Sequence, residues 1–251
     1  RSVWTAFLLI ITTFLFSKWS IFKNILKDKQ KLFILFISGL LIFINWGVWI
    51  YAVSQDKIID ASFGYFIMPI ISVFLGNFFF REAITKKGKI SIFLVIISVI
   101  YLLILDFGSI PWVGLIVALS WSFYNLFRKK INVETDIGLL IESLYILPFV
   151  LVAFYFISIN DYNDFSLSNP SLIPLLMLAG PMTVIPLFLY VRGVELAGLG
   201  PAGMIFYITP TLQFILGFFI YNEQFNINQL VSFILIWIAV FIYLKDIYEK
   251  N

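Results

Sequence analysis

Cysteine and histidine are both absent from the 251 residues of this chain. Their absence excludes disulfides, thiolate chemistry, the usual zinc ligands and a histidine proton relay. Charge is scarce as well. Asp, Glu, Lys and Arg make up 12% of the residues against 61% hydrophobic, whereas a soluble domain carries roughly a quarter charged. With a mean hydropathy of +1.01, the composition is that of an integral membrane protein. No G-x4-G-K-[ST] phosphate loop occurs, which argues against an ATP-driven pump. A membrane enzyme needs a converging nucleophile, base or metal set, and the apolar runs hold no acidic cluster. The expectation is a protein that is not an enzyme and uses no cofactor or metal.

What the chain has in quantity is apolar length. Runs of about 20 residues, enough to cross a ~30 Å hydrocarbon core, lie near residues 3–22, 32–53, 61–80, 89–105, 110–127, 137–159, 171–190, 202–220 and 229–244. Nine spans are predicted, joined by short connections, the longest being the polar turn region NDYNDFSLSNP at 160–170. If the spans alternate in direction, all of the 17 Lys and Arg residues except Arg1 and Lys57 fall on one face. A bias of that size marks the face as cytoplasmic and places the C-terminus there. The same basic residues are spread over separate loops and match no nucleic-acid-binding fold, so the expected partners are membrane lipids rather than nucleic acid.

The pattern Pro-x6-Gly-x5-Glu occurs twice, as Pro69, Gly76 and Glu82 and again as Pro210, Gly217 and Glu223. Ala61 then pairs with Ala202, Tyr65 with Phe206 and Phe66 with Tyr207, and a two-residue slip upstream matches Tyr51 to Tyr190. The chain reads as an internal duplication, residues 1–105 and 110–248. An odd number of crossings between the copies inverts one relative to the other, the arrangement that lets two halves rock about one site. The second copy reads as five spans and the first as four, Arg1 falls outside, and the chain begins without methionine. These features predict a ten-span parent of five plus five whose first helix this chain lacks.

NWGVWIYAVSQDKIIDASFGYFIMPIISVFLG, SFYNLFRKK, GLLIESLYILP, TVIPLFLYVRGVELAGLGPAGMIFYITPTLQFILG and YNE follow one another in that order. On these segments the chain resembles, from about residue 1 to 248, the RarD branch of the EamA-type transporters in the drug/metabolite transporter superfamily. The resemblance implies an all-α integral membrane protein of two inverted five-helix repeats in the bacterial inner membrane. It also implies export of a small organic solute, such as an amino acid, a metabolite or a drug like chloramphenicol, by alternating access. The first helix of such bundles helps line the central cavity. Metabolite uptake, or a channel-like or structural role, stays open as an alternative, as does the choice between monomer and homodimer.

Polar and aromatic groups inside apolar helices are the natural candidates for a solute site. Asn45, Trp46 and Trp49 lie in the second span, Asn45 and Trp49 on one helical face, where an amide and an indole can hold a zwitterion or an aromatic ring. Tyr65, Tyr207, Trp121, Tyr124, Thr183 and Gln213 complete the expected substrate lining, and helix packing is the alternative reading for each. Pro69 and Pro210, each freeing a carbonyl one turn back, are candidate hinges. Gly76 and Gly217 suit close helix contact. Glu142, the one acid clearly inside a span, is the candidate to carry a coupled proton. Pairing with Arg128, Lys129 or Lys130 is its structural alternative. Glu82 and Glu223, at span ends, are expected to cap helices or set topology.

Overall fold

A computed structural model describes residues 2–55, 57–107, 112–131, 133–159, 172–219 and 227–249. Among them the regular elements are all helical: α1 (Ser2–Leu15), α2 (Trp19–Ile25), α3 (Lys29–Ser54), α4 (Ile58–Phe80), α5 (Lys86–Leu102), α6 (Trp112–Lys130), α7 (Thr135–Ile159), α8 (Leu172–Ala197), α9 (Leu199–Ile205), α10 (Ile208–Phe219) and α11 (Ile227–Tyr248). A π-helical turn, Leu103–Phe107, extends α5. Helices follow from the medium, because a bilayer offers no water to unpaired backbone groups and each segment must satisfy its own. The protein is an all-α membrane protein.

Among the described residues, fewer straight crossings appear than the nine apolar runs suggest. Six helices among these residues are long and apolar enough to span: Lys29–Ser54, Phe63–Phe80, Lys86–Leu105, Thr135–Ile159, Ile173–Ala197 and Ile227–Tyr248. The run at 3–22 is no single rod. α1 and α2 meet at 117°, because Ser17 takes a left-handed backbone (φ 55°) and Lys18 turns its ammonium to Glu134 and Asp136, at 2.8 and 2.6 Å. Counting that bent pair as one span gives seven. Residues 112–127 of the run at 110–127 are helical, as part of α6, whose serines, asparagine and terminal Arg-Lys-Lys leave it less apolar. The run at 202–220 divides into α9 and α10 at Phe206–Tyr207.

The described residues group into two compact units, with boundaries that fall inside α3, α6 and α8. Unit 1 comprises Arg1–Phe43 and Phe127–Glu195. There α1 packs along α7, and Leu9, Phe22, Leu35, Ile137, Leu140 and Val184 share a core. Unit 2 comprises Ile44–Leu126 and Leu196–Asn251. Its core joins Phe63, Phe66, Val95, Met204, Phe233 and Ile236.

Lipid tails give apolar helices no reason to prefer each other, so contact rests on small residues and interhelical hydrogen bonds. In unit 2, Ser91 Oγ donates to the Ala239 carbonyl and Ser98 Oγ to that of Ser232, tying α5 to α11. Gly203 brings α9 against α4, where a β-carbon on it would lie 2.8 Å from Ser72 Cβ and 3.4 Å from Pro69 Cα.

Glu82 caps a helix, though not its own. Its two carboxylate oxygens accept from the Leu199 and Gly200 amides, each at 2.9 Å, at the otherwise orphaned start of α9. Gly198 supplies the φ of 104° that turns the chain into α9, and Gly76 leaves the space into which the Glu82 carboxylate folds. Glu223, its repeat mate, lies outside the described residues.

Candidate functional site

Two constellations emerge, one in each unit. In unit 2 the aromatic candidates form a chain of ring contacts. Trp49 meets Tyr65 at 5.5 Å between centroids, Tyr65 meets Phe206 at 5.7 Å, Phe206 meets Trp121 at 5.9 Å, and Trp121 meets Tyr124 at 5.9 Å. Three helices, α3, α4 and α6, and the α9–α10 junction place these rings, and Gly64 makes the approach of α4 to α6 close enough for it. A β-carbon on Gly64 would stand 2.5 Å from the Gly114 carbonyl oxygen and 3.1 Å from Val117 Cβ. Tyr124 is fully buried, whereas Trp49, Tyr65, Phe206 and Trp121 keep part of their surface open.

Asn45 is buried and bound to α6. Its amide nitrogen donates to the Val117 carbonyl and to Ser120 Oγ, both at 3.0 Å. A side-chain amide has a carbonyl as well as two N–H donors, so this anchoring fixes the orientation of the remaining acceptor. Trp46 is half-buried on the same helix. Tyr51, toward the end of α3, sits against Trp112 at 6.0 Å, with the Lys57 ammonium 5.5 Å from the Trp112 ring, an interfacial cluster rather than part of the ring chain.

Tyr207 is buried and its hydroxyl donates to the Phe66 carbonyl at 2.8 Å. That carbonyl is the neighbour of the one on Tyr65 that Pro69 deprives of its helical partner. Pro69 thus lies inside a continuous α4 whose weakened turn is held from outside. Pro210 is placed differently, in the first turn of α10, where a missing N–H costs no helical bond. The two candidate hinges are therefore unlike each other, and the repeat is not locally symmetric there. Tyr207→Phe removes the hydroxyl alone and leaves a buried carbonyl with one partner fewer. The expected loss is about 1 kcal/mol of stability, read as a lower melting temperature in detergent, and an unchanged melting curve would show that the bond contributes nothing.

Thr183 belongs to unit 1, and its hydroxyl donates to the Ala179 carbonyl of its own helix at 2.7 Å. Gln213 lies on α10, but its side chain is outside the described set.

In unit 1 the candidate acid proves to be one part of a charged centre. Glu142 is buried on α7 and accepts a 2.5 Å hydrogen bond from Ser38 Oγ of α3. The Arg128 guanidinium stands 3.7 Å from Glu142 and 3.6 Å from Glu195 of α8. It also donates to the Thr135 carbonyl at 3.2 Å, while Thr135 Oγ1 donates to Glu195 at 2.7 Å. Arg128 is completely buried, a correction to its place among the loop cations: of the Arg-Lys-Lys run that closes α6, only Lys130 is exposed. Gly138 makes room for it, since a β-carbon there would lie 2.7 Å from the guanidinium carbon. Sequence reasoning found Glu142 and its cation but missed Glu195 and Ser38. A second acid in VRGVELAG was the available signal.

The EamA-like transporter family model matches residues 2–104 and 109–245. Protein RarD of Escherichia coli (strain K12) is 34% identical over 246 residues, covering 98% of this chain and 83% of that protein. An uncharacterized transporter of Vibrio cholerae serotype O1 is 32% identical over 246 residues, 98% of this chain and 81% of its own length. A protein of Pseudomonas aeruginosa named chloramphenicol-sensitive protein RarD is 26% identical over 247 residues, 96% and 81% of the two chains.

Proposed function

Because this chain belongs to the EamA-like transporter family, we infer that it is a secondary transporter that moves a small organic solute outward across the bacterial inner membrane by alternating access. It is a multi-pass bacterial membrane protein, and the asymmetry of its basic residues supports a cytoplasmic C-terminus. The ten-helix architecture of two inverted repeats is part of this reading and rests on the duplicated Pro-x6-Gly-x5-Glu pattern.

The observation that carries the reading is the chain of partly open rings from Trp49 through Tyr65 and Phe206 to Trp121 beside the anchored amide of Asn45. Soluble proteins bury such rings against aliphatic groups; here they keep open surface within helices built for lipid. Rings and an oriented amide suit an amino acid, a metabolite or an amphenicol, by stacking and by directed hydrogen bonds. A thermal-shift screen of the purified protein against those classes tests this, since a ligand that binds only the folded state raises the melting temperature by mass action. A stabiliser is expected among them, and saturable counterflow of it in proteoliposomes separates a carrier from a pore. Asn45→Ala is expected to weaken that stabilisation about tenfold in ligand concentration, the equivalent of one lost hydrogen bond at ~1.4 kcal/mol. A variant that melts lower yet binds equally well would assign Asn45 to packing.

Protons are the proposed coupling ion, with Glu142 their carrier. Glu142→Gln keeps the shape and removes the ionisable group. Transport by this variant is expected to lose its dependence on pH, and a retained dependence would exclude Glu142 from coupling.

A further inference from the structure

We propose that the coupled proton is held by a charge centre built from four helices, in which Arg128 is the positioning residue shared between Glu142 and Glu195. The proposal rests on the proton-coupled reading above and adds to it the second carboxylate and the cation that answers to both.

The geometry is that of a shared counter-ion. At 3.7 and 3.6 Å the guanidinium stands almost equally far from the two acids, beyond the 2.7–2.9 Å of a committed charge-assisted hydrogen bond. Each acid has its own local anchor, Ser38 for Glu142 and Thr135 for Glu195. Each group also arrives from a different helix: Ser38 from α3, Arg128 from α6, Glu142 from α7 and Glu195 from α8. One buried cation faces two carboxylates, so a single proton restores charge balance.

Among the described residues, the remaining charges around the centre leave this arithmetic in place. Arg192 reaches Glu195 at 3.1 Å, but its side chain is 52% exposed and screened by water. Lys18 is committed to Glu134 and Asp136 at the start of α7. Lys129 and Lys130 follow Arg128 on α6, Lys29 and Lys31 sit in the first turn of α3, and α1 carries no ionisable side chain.

The step is a proton transfer from hydronium to Glu142, giving water and a neutral carboxyl. The bond formed is O–H on Glu142, the bond broken is O–H on the hydronium, and Ser38 can turn its hydroxyl to accept where it had donated. A neutral Glu142 no longer draws the guanidinium, which then closes on Glu195. Protonation in this way changes which helix α6 is tied to, from α7 toward α8. Release of the proton restores the sharing.

Infrared difference spectroscopy of the purified chain reads this without a transported solute, because a protonated carboxyl has its own C=O stretch. Titrating wild type toward acid is expected to raise such a band, and Glu142→Gln to remove it. Glu195→Gln gives Arg128 to Glu142 alone and is expected to move the midpoint about one pH unit toward acid, the size of one close charge. Arg128→Lys keeps the charge but not the planar fork, and is expected to shift the same midpoint while the protein stays folded. A band that survives Glu142→Gln, or a midpoint that Glu195→Gln leaves where it was, would overturn the shared-counter-ion proposal. Failure of the coupling reading shows elsewhere, as an intact infrared titration beside transport that ignores a proton gradient.

Discussion

Arg128→Gln is expected to be the most damaging single substitution in unit 1. It removes the buried cation that stands near both Glu142 and Glu195, leaving Glu142 its bond from Ser38 and Glu195 its bonds from Thr135 and the exposed Arg192. Breaking a buried pair by deleting one partner costs about 3–5 kcal/mol, because the surviving charge stays desolvated. The folded yield and the melting temperature in detergent should both fall, the latter by roughly 10 °C. Adding Glu142→Gln to Arg128→Gln should recover part of the loss, since an amide tolerates burial better than an uncompensated carboxylate. If Arg128→Gln melts with wild type, the guanidinium is not buried between these acids.

The second large effect is expected at Gly64. A methyl group there would lie 2.5 Å from the Gly114 carbonyl oxygen, and a backbone carbonyl in a helix cannot swing aside as a side chain can. α4 and α6 must separate, at about 1–3 kcal/mol for an overpacked contact. The separation should also open the contacts of Trp121 with its neighbours, so any ligand found in the thermal-shift screen should bind Gly64→Ala less tightly. Gly47→Ala is the internal control. It sits in α3 with nothing within 4 Å of the new methyl, and replacing a mid-helix glycine there should gain about 0.5–1 kcal/mol. Melting temperatures that do not separate the two variants would contradict the close α4–α6 approach.

The apolar runs made α3, α5, α7, α8 and α11 legible, because in lipid a long apolar segment has little choice but to be helical. They misplaced the breaks. Hydropathy adds up side chains and says nothing of backbone torsion, so the left-handed Ser17 passed unnoticed inside the run at 3–22. At Phe206–Tyr207 the break falls among aromatic residues that read as continuous. Glu82 was visible as a span-end acid, but that it caps α9 depends on a contact between residues 117 positions apart. Arg128 was legible in part: its pairing with Glu142 was one reading of the sequence, but a basic triplet at a helix end also looks like a loop flank, and the second acid, Glu195 on α8, was missed. Asn45 stood out as a lone amide among apolar neighbours, whereas its partners Val117 and Ser120 carried no signal of their own.

The hydrogen bond from Tyr207 to Phe66 joins two residues that occupy the same place in the duplicated pattern. Contact between equivalent positions is what a two-fold axis produces, since in an isologous interface a residue on the axis meets its own copy. If the chain is the fused duplication proposed above, a change at this position before fusion would have altered both sides of the contact at once. On that proposal fusion let each side vary alone, in keeping with the present pair, in which one side offers a tyrosine hydroxyl and the other, a phenylalanine, only its backbone.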